Sequence, residues 1–178
     1  MNFISQKALV GADVDIGIGS IVEEGVTLGD GVKIGNYCII KSGVIIGDST
    51  IIMDFVEIRG GTTIGNECYI DSRVSTSGDC KIGNKVNLRY GAIIAKGCII
   101  EDDCYLSPRV MTNNLDQGMN SIGGAHIKRG CFIGTQAVLQ HGIELGENSV
   151  VGAMAFVTKS FDKDSTLIGV PAKLRESK

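Results

Sequence analysis

The chain has 178 residues, 43% of them hydrophobic, which suits one domain with a buried core. A net charge of −3 with both signs interspersed excludes a basic nucleic-acid surface. No apolar run reaches the ~18 residues needed to cross a bilayer, and Gly at 25 against Pro at 2 is the profile of many short strands parted by tight turns.

The N-terminal segment Met1–Lys7 lacks the basic stretch, apolar core and small-residue cleavage site of a signal peptide, so a cytoplasmic protein is expected. From Val10 onward an apolar anchor recurs every six residues: Ile16, Val22, Leu28, Ile34, Ile40 and so on to Leu106. Of eighteen such positions only Thr76 and Thr112 are not Val, Ile or Leu. The residue after the anchor is often Gly, as at Gly29, Gly47 and Gly83, where it is expected to accept backbone conformations that side chains resist. Four residues after each anchor stands a small or β-branched residue such as Val26, Val32, Val44 or Cys68. Helices cannot use a period of six. One short strand plus one turn requires it, and three such units close a triangular coil of eighteen residues. Stacked coils then form parallel strands ~4.8 Å apart around a continuous core. The whole chain, 1–178, reads as one all-β parallel helix.

The frame slips between Thr112 and Ile127, fifteen residues apart, so 113–126 is read as a loop leaving the coil. A loop on a rigid column is a natural place for a site. The pattern resumes at Ile133, Leu139, Leu145, Val151 and Val157. Residues 160–178 read as a tail, extended or ending in a short helix that caps the coil. Five of the six cysteines, Cys38, Cys68, Cys80, Cys98 and Cys104, fall on the small inward position, as does Cys131 after the break, which marks them as packing residues rather than metal ligands.

Only two histidines exist, His126 and His141, too few for a three-histidine zinc site. His141 falls on a turn position and His126 at the end of the loop; an imidazole with an ordinary pKa of ~6.5 can take up a proton near neutral pH, so both are candidates for a general base. Asn113, Asn114 and Asp116 in the loop would hold a polar acceptor by hydrogen bonds and charge. Arg89 and Tyr90 stack one coil below Ser107 and Pro108 and are expected near the loop, with Arg89 gripping a phosphate or carboxylate. Outward apolar residues, Ile39, Ile45, Ile51, Ile93, Ile99 and Met111, read as a stripe covered by a partner.

Three further stretches carry a family resemblance. Ile127-Lys128-Arg129-Gly130-Cys131-Phe132-Ile133-Gly134 resembles V-I-K-R-G-A-x-I-G; Val151-Gly152-Ala153-Met154-Ala155-Phe156-Val157-Thr158-Lys159 resembles V-G-A-G-S-V-V-T-K; Gly169-Val170-Pro171-Ala172-Lys173 resembles G-N-P-A-K. With the hexads, these resemble the hexapeptide-repeat acyltransferases. Tyr105, Pro108 and Thr112-Asn113 further resemble the nucleotide-linked amino-sugar N-acetyltransferase branch. The resemblance implies a left-handed β-helix, a homotrimer with shared sites, and acetyl-CoA or another acyl-CoA as co-substrate with no metal. It implies Gly134, Gly152, Ala153, Lys159, Gly169, Pro171 and Lys173 as cofactor-binding residues. The acceptor it implies is a small molecule, an amino sugar on the way to a polysaccharide. Coils that begin almost at once, without helical N-terminal domains, fit that branch. The alternatives are O-acetylation of a sugar or antibiotic with His141 as base, and a non-catalytic β-helix scaffold subunit.

Overall fold

The computed structural model describes residues 2–175; the last three residues of the expected tail lie outside them. The chain forms a three-sided, left-handed parallel β-helix. Each side is a sheet of two-residue strands, save the three-residue Thr166–Ile168 on the third. The first face carries nine, from Phe3–Ile4 to Phe156–Val157. The second carries eight, from Leu9–Val10 to Glu144–Leu145. The third carries ten, from Asp15–Ile16 to Lys173–Leu174. The edges between them are numbered in the order the chain turns them: first edge between first and second faces, second edge between second and third, third edge between third and first.

Anchors and the residues four beyond them are buried and fill the column; Ile40, Ile58, Val26, Val32 and Val44 are wholly inaccessible. Each such Ile or Val contributes roughly 1.5–3 kcal/mol of transfer free energy. The two exceptional anchors have a specific task. Both lie on the first face, and their hydroxyls intercept ladder amides: Thr76 Oγ1 accepts from Arg59 N at 3.0 Å and Thr112 Oγ1 from Ala95 N at 2.7 Å. All six cysteines are buried free thiols, as their register demands.

Glycine after the anchor serves another purpose than the one expected. Positive φ belongs to the position three after the anchor, where Gly31 has φ +67° and Asp13, Tyr37 and Phe55 adopt the same left-handed backbone. Gly47, one after its anchor, is required by proximity: a Cβ there would lie 2.7 Å from the carbonyl carbon of Gly65 in the next coil. The space is taken by a ladder of side chains along the second edge. Asp30 Oδ1 accepts from Ala12 N, Asp48 from Asp30 N, Asn66 from Asp48 N, Asn84 from Asn66 N and Asp102 from Asn84 N, at 2.7–2.9 Å.

Strand partners are 18 residues apart until the loop, where Met111 pairs with Val138 and Ile99 with His126, 27 apart. His126 is therefore a strand residue, and the loop ends at the buried Ala125. The tail is also corrected. The coil does not stop at Val157: Phe161 bridges to Leu145 and Thr166–Ile168 pairs in parallel with Val150–Val151, 16 residues back. Lys173–Leu174 then folds antiparallel onto Thr166–Ile168, so a hairpin, not a helix, closes this end. Both departures from the 18-residue frame, the nine-residue gain and the two-residue loss, fall on the first edge. The expected apolar stripe divides too. Ile39, Ile93 and Met111 lie on the first face, Ile45 and Ile99 on the second, and Ile51 on the third.

Candidate active site

The first edge gathers the loop and His141. Asn113 N donates to Leu139 O at 3.0 Å, and Ile122 N to Asn114 O at 2.9 Å. Leu115 and Ser121 form an antiparallel bridge, so the loop is a small hairpin. Asp116 accepts from Asn120 N at 2.9 Å and from its side-chain amide at 3.0 Å; these bonds hold its carboxyl below the usual aspartate value, and His141 adds to the effect. The loop returns over the His141 corner, where Gly142 N donates to Gly123 O at 3.1 Å. Gly142 has φ +63°, and a Cβ on it would meet Ile122 Cγ2 at 3.2 Å. Asn113, Asn114, Asp116 and His141 therefore share one edge.

The two histidines differ in what occupies their nitrogens. His126 Nε2 lies 2.8 Å from Glu101 Oε1 and Nδ1 lies 3.4 Å from Glu144 Oε2, while Lys128 Nζ reaches Glu144 at 3.2 Å. Burial would raise the Glu101 pKa, but the bonds from His126 and from Arg129 N, at 3.1 Å, outweigh it and hold the carboxyl low. Neither nitrogen of His126 can take a proton from an acceptor without breaking a contact. By contrast, His141 Nδ1 is buried with no hydrogen-bond partner among the described residues, and Nε2 has only a long contact, to Gln140 Nε2 at 3.4 Å. With Nδ1 closed off, Nε2 is the nitrogen left to act as a base.

Arg89 and Tyr90 are not beside the loop. They turn the third edge, with Arg89 lying 5.0 Å over the Tyr69 ring, 6.0 Å over Tyr105 and 3.4 Å from Asp71. A shared place in the hexad does not mean a shared edge, because the six-residue period recurs on all three edges. The third edge also holds Gly134, Gly152, Ala153, Gly169 and Pro171. Gly134 is buried beneath the next coil; a Cβ on it would lie 2.7 Å from Gly152 C. Gly152 N is already committed to Leu167 O at 2.8 Å. The neighbouring Ala153 N–H carries no hydrogen bond among the described residues. On the second edge the amide at this position is taken by the ladder carboxamide or carboxylate of the next coil; above Ala153 no such residue follows. Ala153 is among the cofactor-binding residues that the resemblance implies. Glu101 was missed, because nothing in the sequence pairs it with His126.

The hairpin turn is tied to the first face by Phe156 N to Gly169 O at 3.1 Å and Ala172 N to Phe156 O at 2.7 Å. Lys159 stands instead on the first edge, 5.4 Å over the Phe161 ring, and Lys173 is in the closing strand. Among the described residues no three His, Cys, Asp or Glu side chains converge to hold a metal ion, and no helix is long and apolar enough to cross a membrane.

Known proteins share the hexad repeat and the coil. The bacterial transferase hexapeptide family (six repeats) matches residues 43–78 and 124–159, and the hexapeptide repeat of succinyl-transferase matches 8–36. Serine acetyltransferase of Buchnera aphidicola is 31% identical over 84 residues, 47% of this chain and 31% of that protein. Carnitine operon protein CaiE of Escherichia coli K12 is 34% identical over 93 residues, 47% of each chain. The matched stretch thus spans half or less of these curated relatives. Among solved structures, a UDP-N-acetylglucosamine acyltransferase superposes with TM-score 0.83 at 20% identity over 97% of this chain and 70% of that one. LpxA from Acinetobacter baumannii gives 0.77 at 20% identity over 98% and 71%. At that identity the likeness is one of fold. Repeat, coil geometry and family match together place this chain in the hexapeptide-repeat transferase family.

Proposed function

We propose that this chain transfers an acyl group, acetyl in the first instance, from acyl-CoA to the amino group of a nucleotide-linked sugar in the cytoplasm. One observation carries the reading: two complementary sets of residues occupy the two edges that flank the first face. The first edge offers polar loop residues and His141 Nε2, which no carboxylate holds. The third edge offers the closely packed Gly134, the unpaired amide of Ala153 and the Gly169–Pro171 turn. A face is six residues of extended chain at most, so the edges stand up to about 20 Å apart. Neither set is a complete site alone. A second copy, placing its third edge against the first edge of its neighbour, completes one, and a threefold ring closes the arrangement. The first face would be covered in such a ring. Its outward column, including Ile21, Ile39, Ile93, Met111, Val138 and Phe156, is apolar enough for that.

In this reading Asp116, Asn113 and Asn114 hold the acceptor. Its neutral amine forms the new C–N bond to the thioester carbonyl, and the C–S bond breaks. His141 receives the proton that the nitrogen loses and returns it to the departing thiolate. Ala153 N–H donates to the carbonyl oxygen as it gains charge. Lys159 and Lys173 supply positive charge for CoA phosphates. His126, held by two carboxylates, positions the edge of the second face rather than moving protons. His141 Nε2, held by no carboxylate, also suits a hydroxyl acceptor, which needs a base more than an amine does, and this keeps O-acetylation as the second reading. The test is acetyl-CoA with a panel of nucleotide-linked amino sugars and plain sugars, following thiol release. Release with amino sugars supports the first reading, and release with hydroxyl acceptors alone supports the second. No thermal shift with acetyl-CoA and no release with any acceptor refutes both in favour of a scaffold.

A further inference from the structure

The third edge continues below Gly134 into residues that the reaction described above does not use. Three after each anchor, successive coils present Tyr37, Phe55, Arg73, Gly91 and Arg109, all with positive φ. Bulky side chains are poorly suited to this backbone, where glycine, Asn and Asp are the easy choices. Tyr37 and Phe55 are the only aromatic residues so placed among the described residues. Both are also open to solvent, 56% and 50% exposed. Their rings stack with centroids 5.5 Å apart and planes 10° from parallel, and the Arg73 guanidinium lies 5.1 Å over Phe55. A fold can stack aromatics for its own stability. It gains less by doing so in water, on a strained backbone.

The arginines point the same way. Arg59, Arg89 and Arg129 are each paired with a carboxylate. Arg73 and Arg109 are exposed and in no ion pair among the described residues. They stand two coils apart, about 10 Å, with Gly91 between them. A Cβ on Gly91 would meet only Arg109 Cγ, at 3.7 Å, so the interval is an open notch. The nearby Asp71 is already matched by Arg89. The strip is thus an aromatic pair capped by the exposed, ion-unpaired Arg73 guanidinium, with the Gly91 gap and the unpaired Arg109 beyond. Planar bases stack on such rings in a sequence-tolerant way, and guanidiniums are suited to phosphate oxygens.

We infer that this strip binds a nucleoside diphosphate, with the base on Tyr37 and Phe55 and the phosphates between Arg73 and Arg109. The inference rests on the acyl-transfer reading only for the source of the ligand: a nucleotide-linked acceptor and CoA both carry this group. Calorimetric titration of the full chain with UDP, dTDP and ADP tests it. Binding is expected, and Tyr37→Ala with Phe55→Ala should weaken it by about tenfold or more, while Tyr37→Phe keeps it. Arg73→Gln with Arg109→Gln, both exposed and safe for folding, should weaken UDP or dTDP but leave the free nucleoside unchanged, and should flatten the salt dependence. Binding that persists in saturating acetyl-CoA assigns the strip to the acceptor; displacement by CoA assigns it to the donor. No binding by any of the three nucleotides, or equal affinity in the aromatic and arginine variants, overturns the inference. Nucleotide binding without acyl transfer would leave the strip standing and remove the enzymatic reading. Transfer with unaltered KM in all these variants would do the reverse.

Discussion

His126 Nε2 and Glu101 Oε1 stand 2.8 Å apart on the second face, although 25 residues separate them in the chain. The contact exists because the loop leaves and rejoins the coil at one edge, so Ile99 and His126 become stacked partners. It ties together the carboxylate, the ring, and through Glu144 the next coil. Glu101 has a folded pKa below its ordinary value. Its contribution to stability is therefore present above about pH 4.5 and is lost as pH falls through the lower folded value. Acid titration of unfolding should show that slope, and Glu101→Gln should flatten it. His126→Gln should change kcat/KM by less than about threefold, since the ring is held rather than free; a loss of two orders of magnitude would make it the base after all.

His141→Ala should lower kcat/KM by about a hundredfold or more, the usual worth of a positioned base. Its side chain makes one long contact to Gln140 and has no partner at Nδ1, so the melting temperature should shift little. Steady-state kinetics beside a thermal melt separate the two effects.

Ala153→Pro removes the free amide at small structural cost. Pro108 already occupies the equivalent corner one position before Arg109, which has φ +59°. Stability should hold or rise by roughly 0.5 kcal/mol, while turnover falls by about 10²-fold. Mixing and refolding this variant with His141→Ala should restore about a quarter of wild-type activity if sites are shared between copies, because half the first edges meet half the third edges intact. No recovery would mean that each chain carries a complete site.

The six cysteines should resist a thiol reagent in the native protein and react fully after denaturation. Burial, with Cys98 adding to it, pushes Cys80 up to about 11, and all six are inaccessible. A fast-reacting thiol at neutral pH would show local opening of the column.

Thr112→Val keeps the shape of the anchor but deprives Ala95 N of its 2.7 Å acceptor. A loss of about 1–2 kcal/mol in denaturant unfolding is expected. A neutral result would mean that the strand recovers its ordinary ladder bond.

Most of the column is legible from the chain because each hexad repeats one local decision, and errors cannot accumulate over many rungs. Val26, Val32 and Val44 are inward for the same reason. The loop is legible as a broken period; that His141 shares its edge with Asn113 and Asp116 came only with the structure. Arg89 and Tyr90 were misplaced because spacing fixes which residues stack, not how the three edges distribute a site. Thr76 and Thr112 looked like lapses in the pattern, but an inward hydroxyl that takes a backbone amide is as well satisfied as an isoleucine. The tail was misread because a two-residue shortening at the first edge hides the final coil from a strict count of six. The glycines were right in place and wrong in cause, since a neighbouring coil's proximity leaves no trace in a single hexad.

The nine residues added before Ala125 enter and leave at one corner, and Ile100 still lies against Ile127 as though consecutive. The strands above the insertion therefore keep their register whatever its content. Replacement, lengthening or exchange of that segment would alter which molecules are recognised while the supporting masonry keeps its courses, so new specificities can arise here without any change to the interior.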